Sequence, residues 1–292
     1  MRRDETLMPS SAPEHHQHWN VEALWAQLSK LLPGISIEVL ARTDSTNTAL
    51  LERVRNEARG GNVNAYGRRS HDMQPCLLVA EHQTHGRGRM GRTWLSTAGG
   101  SLTFSLGLPL EMSDWSGLSL TMGCAIADAL DPLLEAGQTP RLQLKWPNDI
   151  WLMDGSSGRK LGGILIETVP AGSQRMVVVG VGLNISELSS GPEAQLNTGF
   201  ASLDELKPEF TAPSVLAQVA PALVQALLSF QQDGFAPWQA AYARRDLTLG
   251  RRVSAGAQEG LSRGVGPGGE LLLETATGIQ SISGGEVSLR LN

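Results

Sequence analysis

The chain of 292 residues has few cysteines, few aromatic residues and no excess of positive charge. Its two cysteines, Cys76 and Cys124, lie in apolar segments, which argues against a disulfide-stapled secreted domain and indicates a reducing, cytoplasmic compartment. Lys and Arg number 24 against 29 Asp and Glu, so the formal net charge is −5, whereas binders of nucleic acid usually carry a basic balance. Because the sequence has no signal peptide and no uninterrupted run of about 20 apolar residues, we expect no membrane span.

The composition fits a globular protein, and the sequence pattern changes near the end of the chain. The 41% hydrophobic content suits a packed core at this length. Residues 1–18 hold three histidines but no apolar pattern, and we expect a disordered leader there rather than a metal site. From residue 247 the chain reads as five short strands separated by glycine turns, which is typical of a small barrel or sandwich. We therefore expect a leader over 1–18, a main domain over 19–246 and a small β domain over 247–292.

Within the main domain, helical and strand periodicities are mixed, and no internal repeat is present. Asn20 is the expected N-cap of a first helix, a helix near 116–136 should end at Gly137, and Pro221 should kink or begin the helix near 214–232. Strands are expected near 35–40, 76–81, 101–108, 160–169 and 176–185, and a further helix near 236–246. Another helix is expected after an N-cap at Ser45 or Thr46, with Leu50, Leu51 and Val54 on its apolar side. The last strand, MVVVGVGLNI, is apolar throughout and should be central in the sheet.

The most informative stretch is EHQTHGRGRMGRTWLS, from Glu81 to Ser96, between two strand-like segments. Glycines and arginines alternate in it, at Gly86, Arg87, Gly88, Arg89, Gly91 and Arg92. Glycine permits left-handed turns and close approach to a ligand, and arginine contacts phosphate or carboxylate with two parallel hydrogen bonds. The pattern predicts a tight loop that folds positive charge around an anion, although a basic hairpin loop on a solvated face explains the loop alone as well.

The three glycines also spell G-x-G-x-x-G, the dinucleotide-binding pattern. That pattern requires a helix after the loop, because the pyrophosphate sits on the helix N-terminus. Here the following segment, 101–108, alternates like a strand, so we reject a Rossmann fold. A kinase glycine loop is rejected because no HRD or DFG motif follows.

Two polar clusters elsewhere are candidates for ligand contacts. Ser45, Thr46 and Asn47 lie where a strand passes into a helix N-terminus, which exposes backbone N–H groups to ligands, although simple helix capping explains them as well. Lys145 and Asp149 flank a proline turn in KWPND, and a hairpin carrying a surface ion pair explains that arrangement equally.

Taken together and in order, these segments resemble one family, the biotin protein ligases, which are biotin–[acetyl-CoA-carboxylase] ligases and include the bifunctional biotin operon repressors. The matching segments are DSTN (44–47), EHQTHGRGRMGRTW (81–94), KWPND (145–149), RKLGGILIE (159–167), VGVGLNI (179–185) and GGEVSLR (284–290). The resemblance implies an α+β fold, with a mixed-sheet catalytic domain resembling class II aminoacyl-tRNA synthetases followed by a small SH3-like β-barrel.

The resemblance also implies a reaction, with ATP, biotin and Mg2+ as its small-molecule participants. The biotin carboxylate attacks the α-phosphate of ATP, and the resulting biotinyl-5′-AMP gives biotin to a lysine of the biotin carboxyl carrier domain of acetyl-CoA carboxylase. By resemblance, the catalytic residues are Lys160, Arg87, Arg89 and Asp149. The positions matching biotin contacts are Ser45, Thr46, Asn47, Gln83, Arg87, Gly88, Arg89 and Lys160. The positions matching ATP contacts are Arg89, Arg92, Asn148, Asn184, Phe200 and Arg290.

Several expectations mark where the sequence departs from the family or leaves a choice. About 34 residues precede the first expected strand, too few for the winged-helix domain of the repressors, so we expect no nucleic-acid binding. The polar segment 58–74 matches no motif of the family. The oligomeric state is left as monomer or homodimer, and no metal-ligating set is identified. A lipoate–protein ligase and a non-catalytic sensor of biotinyl-adenylate remain the alternatives.

Overall fold

The fold was analysed in a computed structural model of the chain. It describes residues 17–58, 74–112, 114–133, 135, 137–171, 174–187, 199–283 and 289–291. The expected disordered leader and the polar segment 58–74 therefore lie almost entirely outside the described residues.

A seven-stranded mixed sheet forms the body of the protein. The strands before the tail are β1 (Ser36–Thr43), β2 (Cys76–Gln83), β3 (Gly86–Arg87), β4 (Thr93–Trp94), β5 (Ser101–Leu110), β6 (Leu142–Lys145), β7 (Asp149–Asp154), β8 (Ser157–Ala171) and β9 (Gln174–Asn184). The sheet order is β1-β2-β5-β9-β8-β7-β6, and β3 pairs with β4 in a separate ribbon. Strands β1 and β2 are parallel and the other neighbours antiparallel. The α+β prediction, the central place of β9 and the rejection of a Rossmann fold are thus confirmed.

The described residues form five α-helices. They are α1 (Val21–Leu31), α2 (Thr46–Ala58), α3 (Leu118–Leu130), α4 (Ala212–Asp233) and α5 (Gln239–Ala243). The first four pack on the two faces of this sheet, and α5 packs against α3. On one face, α1, α3 and α4 bury the odd-numbered residues of β9, such as Val177 and Val179, in the main core. The even-numbered residues point to the other face, because side chains alternate along a strand. There α2 covers part of the sheet through Leu50, Leu51 and Val54, and the rest of that face is open to the site described below.

The structure refines three predictions about helices. Asn20 is the N-cap residue of α1, as predicted, but its side chain makes no capping hydrogen bond and its backbone angles are left-handed, φ 46° and ψ 46°. Helix α3 ends at Leu130 rather than near Gly137, because Asp131 precedes a proline and that position disfavours helical angles. The Asp131 carboxylate instead accepts a hydrogen bond from the Leu142 N–H at 2.9 Å. Of the two alternatives for Pro221, the structure excludes the one in which it begins the helix, because it lies inside α4; a kink there stays a prediction.

Helix α4 is long and apolar enough to cross a membrane, as judged by length and composition alone. Thr211 caps its N-terminus, since its hydroxyl accepts a hydrogen bond from the Ser214 N–H at 3.3 Å. Its buried side chains, among them Leu216, Leu223 and Phe230, belong to the main core. A core helix of this kind passes the same test, and here the apolar composition is explained by packing.

The tail forms a five-stranded antiparallel sheet, in the order β13-β12-β11-β10-β14. Its strands are β10 (Arg252–Ala255), β11 (Gln258–Val265), β12 (Leu271–Thr275), β13 (Gly278–Ile282) and β14 (Leu289–Leu291). The five strand-like runs predicted from the sequence are confirmed as strands. The tail contacts the main sheet closely, because the Trp146 indole N–H donates to the Gly269 carbonyl at 3.0 Å in a buried position. A domain boundary near residue 246 stays a prediction.

Candidate functional site

A cavity of about 810 Å³ opens on the sheet face that α2 only partly covers. Two glycines of β9 make room for the side chains that wall it. A Cβ atom at Gly180 would overlap the amide of Asn47, and one at Gly182 would overlap the indole of Trp94. The G-x-G of the central strand therefore serves the site by removing side chains and not by binding a dinucleotide.

The cavity gathers the candidate residues predicted from the sequence. Those that line it are Ser45, Thr46, Asn47, Gln83, Arg87, Gly88, Arg89, Arg92, Asn148, Asp149, Lys160, Asn184 and Phe200. The remaining candidate, Arg290, lies on β14 opposite Ser254, and its side chain is outside the described residues. Segments up to 155 residues apart in sequence thus converge on one site, from Ser45 to Phe200.

The segment from Gly86 to Trp94, here called the arginine loop, is a short hairpin over the cavity. Strands β3 and β4 form its arms, and the Gly88 N–H donates to the Arg92 carbonyl at 2.7 Å. A 3-10 turn over Arg89–Gly91 forms the tip, where Met90 and Gly91 both have positive φ, 57° and 70°. The hairpin interpretation is correct, and its three arginines line the cavity, although Arg87 and Arg92 are also exposed to solvent.

At one end of the cavity, the polar groups are hydrogen-bonded to each other. We call this the amide end and define it by Thr46, Asn47, Gln83 and Ser105. The Gln83 Oε1 accepts hydrogen bonds from the Thr46 N–H at 2.7 Å and the Thr46 hydroxyl at 3.2 Å. The Ser105 hydroxyl lies 2.7 Å from the Thr46 hydroxyl and 2.6 Å from the Asn47 Oδ1. All four residues are buried, so this end is a rigid set of neutral donors and acceptors.

Ser45 both caps helix α2 and lines the cavity, so the two interpretations of this segment are compatible. Its hydroxyl accepts a hydrogen bond from the Thr48 N–H at 3.4 Å, which is the N-cap geometry at the start of α2. The same residue lines the cavity.

Glu167 of β8 connects the amide end to the arginine loop, and the sequence analysis did not identify it. Its carboxylate accepts from Arg87 at 3.1 and 3.4 Å and from the Asn47 Nδ2 at 3.0 Å. Asn47 also donates to the Leu165 carbonyl at 3.1 Å. In the sequence Glu167 reads as an ordinary polar position of a strand, and only the fold brings it to Arg87, 80 residues away.

The opposite end of the cavity is positively charged. We call it the cation end and define it by Arg89, Arg92, Lys145 and Lys160 around Asp149. The Lys160 Nζ lies 2.7 Å from the Asp149 Oδ1, and both side chains are largely buried. Lys145 is 9% exposed, and its amine lies 4.8 Å from the ring centroid of Trp151. The hairpin predicted at KWPND is confirmed, but the surface ion pair between Lys145 and Asp149 is wrong: Asp149 pairs with Lys160, and Lys145 is buried.

Burial also changes the proton affinity of these cations. Desolvation lowers the pKa of Lys145, Asp149 opposes the shift, and the nearby Lys160 and Arg92 add to it. Desolvation likewise lowers the pKa of Arg89, with Asp149 opposing and Arg92 adding to the change. Both effects arise because charged groups are crowded together away from water.

The charge balance of the site is opposite to that of the chain. Among the described residues that line the cavity, Arg87, Arg89, Arg92, Lys145 and Lys160 are basic and Asp149 is acidic. The whole chain carries a formal charge of −5. Lys145 is buried and Arg89 and Lys160 are partly buried. Positive charge removed from water is costly unless an anion joins it, so the arrangement is suited to a ligand with several negative charges.

The wall beside Lys160 is held by side-chain amides. The Asn148 Nδ2 donates to the Ile164 carbonyl at 2.8 Å, and the Asn184 Nδ2 donates to the Ala201 carbonyl at 2.9 Å. Phe200 forms a backbone bridge with Lys160, and both residues line the cavity. These contacts fix the shape of the cation end before any ligand binds.

Comparisons with known proteins agree with this geometry. Residues 39–184 match the model of the biotin/lipoate A/B protein ligase family, and residues 248–290 match the biotin protein ligase C-terminal domain. The chain is 34% identical over 287 residues to the bifunctional ligase/repressor BirA of Escherichia coli, covering 96% of this chain and 81% of that protein. It is 33% identical over 263 residues to the biotin–[acetyl-CoA-carboxylase] ligase of Mycobacterium tuberculosis, covering 86% and 88% of the two chains.

Among solved structures, the biotin protein ligase of Aquifex aeolicus in complex with biotin and ATP superimposes with a TM-score of 0.68 and 29% identity, over 88% of this chain and 99% of that one. Family models, sequence relatives and the solved structure therefore agree over both the main sheet and the tail. The chain belongs to the biotin protein ligases, within the biotin/lipoate A/B protein ligase family.

Proposed function

We propose that this chain is a biotin–[acetyl-CoA-carboxylase] ligase. It activates biotin with ATP to biotinyl-5′-AMP and transfers the biotinyl group to a lysine of a biotin carboxyl carrier domain. One observation carries the proposal: a single cavity joins a rigid neutral hydrogen-bonding end to a cation end with excess positive charge. Biotin offers a neutral urea and a carboxylate, and ATP offers a polyanion, so the two ends are complementary to these two ligands.

The amide end would bind the ureido ring of biotin. A urea presents a carbonyl acceptor between two N–H donors, and it is recognised by paired groups in an otherwise apolar slot. Ser45, Thr46, Asn47 and Gln83 supply hydroxyls and amides in this region. With the ring held there, the valeryl chain runs under the arginine loop and carries its carboxylate toward Arg87, Arg89 and Lys160.

In the first half-reaction, an oxygen of the biotin carboxylate attacks the α-phosphorus of ATP. The bond between the α-phosphorus and its bridging oxygen breaks, and pyrophosphate leaves with the electron pair. Two anions must approach each other, so the site has to neutralise charge before and during the attack. Lys160 and Arg89 would neutralise the reacting carboxylate and α-phosphate, and Arg92 would hold the leaving pyrophosphate. Asp149, 2.7 Å from the Lys160 amine, orients that amine.

In the second half-reaction, the amine of the carrier lysine attacks the acyl carbon of the adenylate. The bond to the phosphate oxygen breaks, AMP leaves, and the amine loses one proton as the amide forms. The adenylate must be shielded from water until the carrier arrives. The arginine loop lies over the cavity and is suited to that task, because its arginines would contact the adenylate phosphate directly.

Mg2+ would reach this site on the ATP phosphates. No group of three His, Cys, Asp or Glu side chains is close enough to hold a metal among the residues that the structure describes. This fits the ion, which usually keeps several waters and binds through phosphates with one or two carboxylates. Asp149 is the acidic residue among the described cavity-lining residues, and it could contribute such a carboxylate. When bound, Mg2+ supplies further neutralisation of phosphate charge.

Finer features of the proposal follow from the family. The main sheet would be related to class II aminoacyl-tRNA synthetases, the tail would be an SH3-like barrel, and Arg290 would approach ATP from it. The chain would act in the cytoplasm, where the free thiols of Cys76 and Cys124 stay reduced. It would work as a monomer or a homodimer.

The test is the intact mass of a purified biotin carrier domain after incubation with this protein, ATP, Mg2+ and biotin, with lipoate in a parallel reaction. The expected result is a gain of one biotinyl group that requires ATP. A gain with lipoate alone would assign the chain to lipoate–protein ligation instead. No gain in either reaction, with biotinyl-adenylate retained by the protein, would identify a sensor.

A further inference from the structure

Glu167 occupies a position that the proposed chemistry does not use. It lies on β8, its side chain is 23% exposed, and it joins two segments at the biotin side of the cavity. One segment is the start of α2, contacted through the Asn47 amide at 3.0 Å. The other is the arginine loop, contacted through both terminal nitrogens of Arg87. Among the residues that the structure describes, Glu167 is therefore the carboxylate that contacts both segments.

The contacts leave Arg87 able to bind a ligand while it is held. A guanidinium has five N–H donors in a planar fork. Glu167 and the Thr48 hydroxyl, which lies 3.2 Å from the Arg87 Nη1, account for part of that set. The Arg87 side chain is 46% exposed and lines the cavity. The remaining donors can therefore contact a carboxylate in the cavity without breaking the pair with Glu167.

Asn47 is oriented by the same carboxylate. The amide has two N–H donors, and they go to the Leu165 carbonyl and to Glu167. This fixes the opposite side of the amide, the Oδ1, against Ser105 and Gly180. An amide that lost its Glu167 partner would be free to rotate, and the hydrogen-bond order of the amide end would no longer be unique.

We propose that Glu167 is a positioning residue for biotin, which holds the Arg87 guanidinium and the Asn47 amide in the orientation that receives the ligand. The inference rests on the proposed function and names a residue that acts through two others. The cation end makes no described contact with Glu167, so its effect should fall on biotin and not on ATP. The competing possibility is that Glu167 occupies Arg87 in place of the biotin carboxylate, in which case its removal would strengthen biotin binding.

The experiment measures biotin and ATP dissociation constants by calorimetry for the wild type and for Glu167→Gln, which keeps the shape and removes the charge. The matched control is Glu38→Gln. Glu38 pairs with Arg53 of α2 through two contacts at 2.8 Å, with comparable exposure, and neither residue lines the cavity. We expect Glu167→Gln to weaken biotin binding about tenfold, the equivalent of about 1.4 kcal/mol, with ATP binding and the control unchanged.

A double-mutant cycle with Arg87→Ala distinguishes positioning from a general loss of structure. If Glu167 acts through Arg87, the double variant should lose less biotin affinity than the two single losses combined. Unchanged or tighter biotin binding in Glu167→Gln overturns the inference, as does an equal weakening of ATP binding. The melting temperature of each variant identifies any that fails to fold, and Glu167→Asp, which keeps the charge, should then recover part of the affinity. Carrier biotinylation by the wild type tests the proposed function separately.

Discussion

The two ends of the cavity differ in how their polar groups are satisfied. At the amide end, Thr46, Asn47, Gln83 and Ser105 bond to one another and to the backbone, with every contact between neutral groups except the one to Glu167. At the cation end, Lys160 shares Asp149 with a crowded set of cations, and burial lowers the pKa of Lys145 and Arg89. One end is complete as a hydrogen-bonded structure, and the other carries charge that a ligand must balance.

Because of this difference, the two ends of one cavity favour different ligand groups. Neutral hydrogen bonds at fixed positions select shape and donor order, so the amide end suits the uncharged urea of biotin. Clustered cations select charge, so the cation end suits phosphates. The arginine loop spans the two, with Arg87 contacting Glu167 on the amide side and Arg89 near Asp149 on the cation side. The reacting carboxylate and α-phosphate would meet beneath it.

The largest effect is expected from Lys160→Met, which removes a positive charge at the point where the two ends meet. We expect kcat for adenylate formation to fall by about 10² to 10³-fold, as for the loss of one group that stabilises developing charge. The matched control is Lys207→Met, since Lys207 is exposed and lies over Phe210 away from the site. Pyrophosphate release measures both rates. Equal rates for the two variants would show that Lys160 takes no part in adenylate formation.

The next effect concerns retention of the intermediate. Arg89→Ala should leave the fold intact and increase the rate of biotinyl-5′-AMP release by about tenfold, because one charge-assisted contact to its phosphate is lost. Release can be followed by rapid dilution of the protein with bound adenylate. Arg263→Ala, at a surface ion pair with Glu274 in the tail, serves as the control. A variant that retained adenylate as tightly as the wild type would contradict the shielding role of the arginine loop.

A smaller and more selective effect is expected at the amide end. Gly180→Ala would push a methyl group into the Asn47 amide, so the KM for biotin should rise about tenfold, within the usual cost of overpacking. The KM for ATP should stay unchanged, because the cation end is not touched. Gly107→Ala is the control, since its new Cβ would approach the Leu50 Cδ1 at 3.1 Å and meet the rest of that side chain at ordinary van der Waals distance. A parallel rise in both KM values would contradict the assignment of biotin and ATP to different ends of the cavity.

The smallest effect is a pH dependence at the cation end. Burial lowers the pKa of Lys145, so its charge is lost at a lower pH than that of a free lysine as pH rises. The KM for ATP should therefore increase on the alkaline side, at a pH below the ordinary lysine pKa of about 10.4. Lys145→Arg keeps its charge to higher pH, so this increase should move upward. The pH profile of the KM for ATP in both proteins is the measurement, and an unmoved profile would exclude Lys145 from phosphate binding.

Local patterns in the sequence predicted much of the fold. The alternation in 101–108 distinguished a strand from the helix of a Rossmann fold, and the apolar run at 176–185 identified the central strand. The predicted end of α3 was wrong because the prediction followed the apolar spacing of Leu130 and Leu133. Pro132 disfavours helical angles at the residue before it and ends the helix earlier. Asn20 was correctly predicted as the N-cap of α1, but residue preference cannot tell a side-chain cap from the left-handed backbone found there.

Site residues that belong to a motif of several informative residues were predicted from the sequence. Those that stand alone in a strand were missed. The arginines and glycines of the arginine loop are informative together, and all of them except Gly86 and Gly91 line the cavity. Glu167 and Ser105 are single polar positions in strands and acquire a role only through long-range pairing. Lys145 was visible in KWPND, but its burial over Trp151 depends on the register of β6 and β7, which no local pattern records.

The central claim is that the amide end holds biotin and the cation end holds the phosphates of ATP. A crystal structure with biotin and a non-hydrolysable ATP analogue tests it most directly. We expect the ureido ring beside Gln83 and Asn47, and the triphosphate beside Arg92, Lys145 and Lys160. A ureido ring among the cations, or phosphates at the amide end, would contradict it.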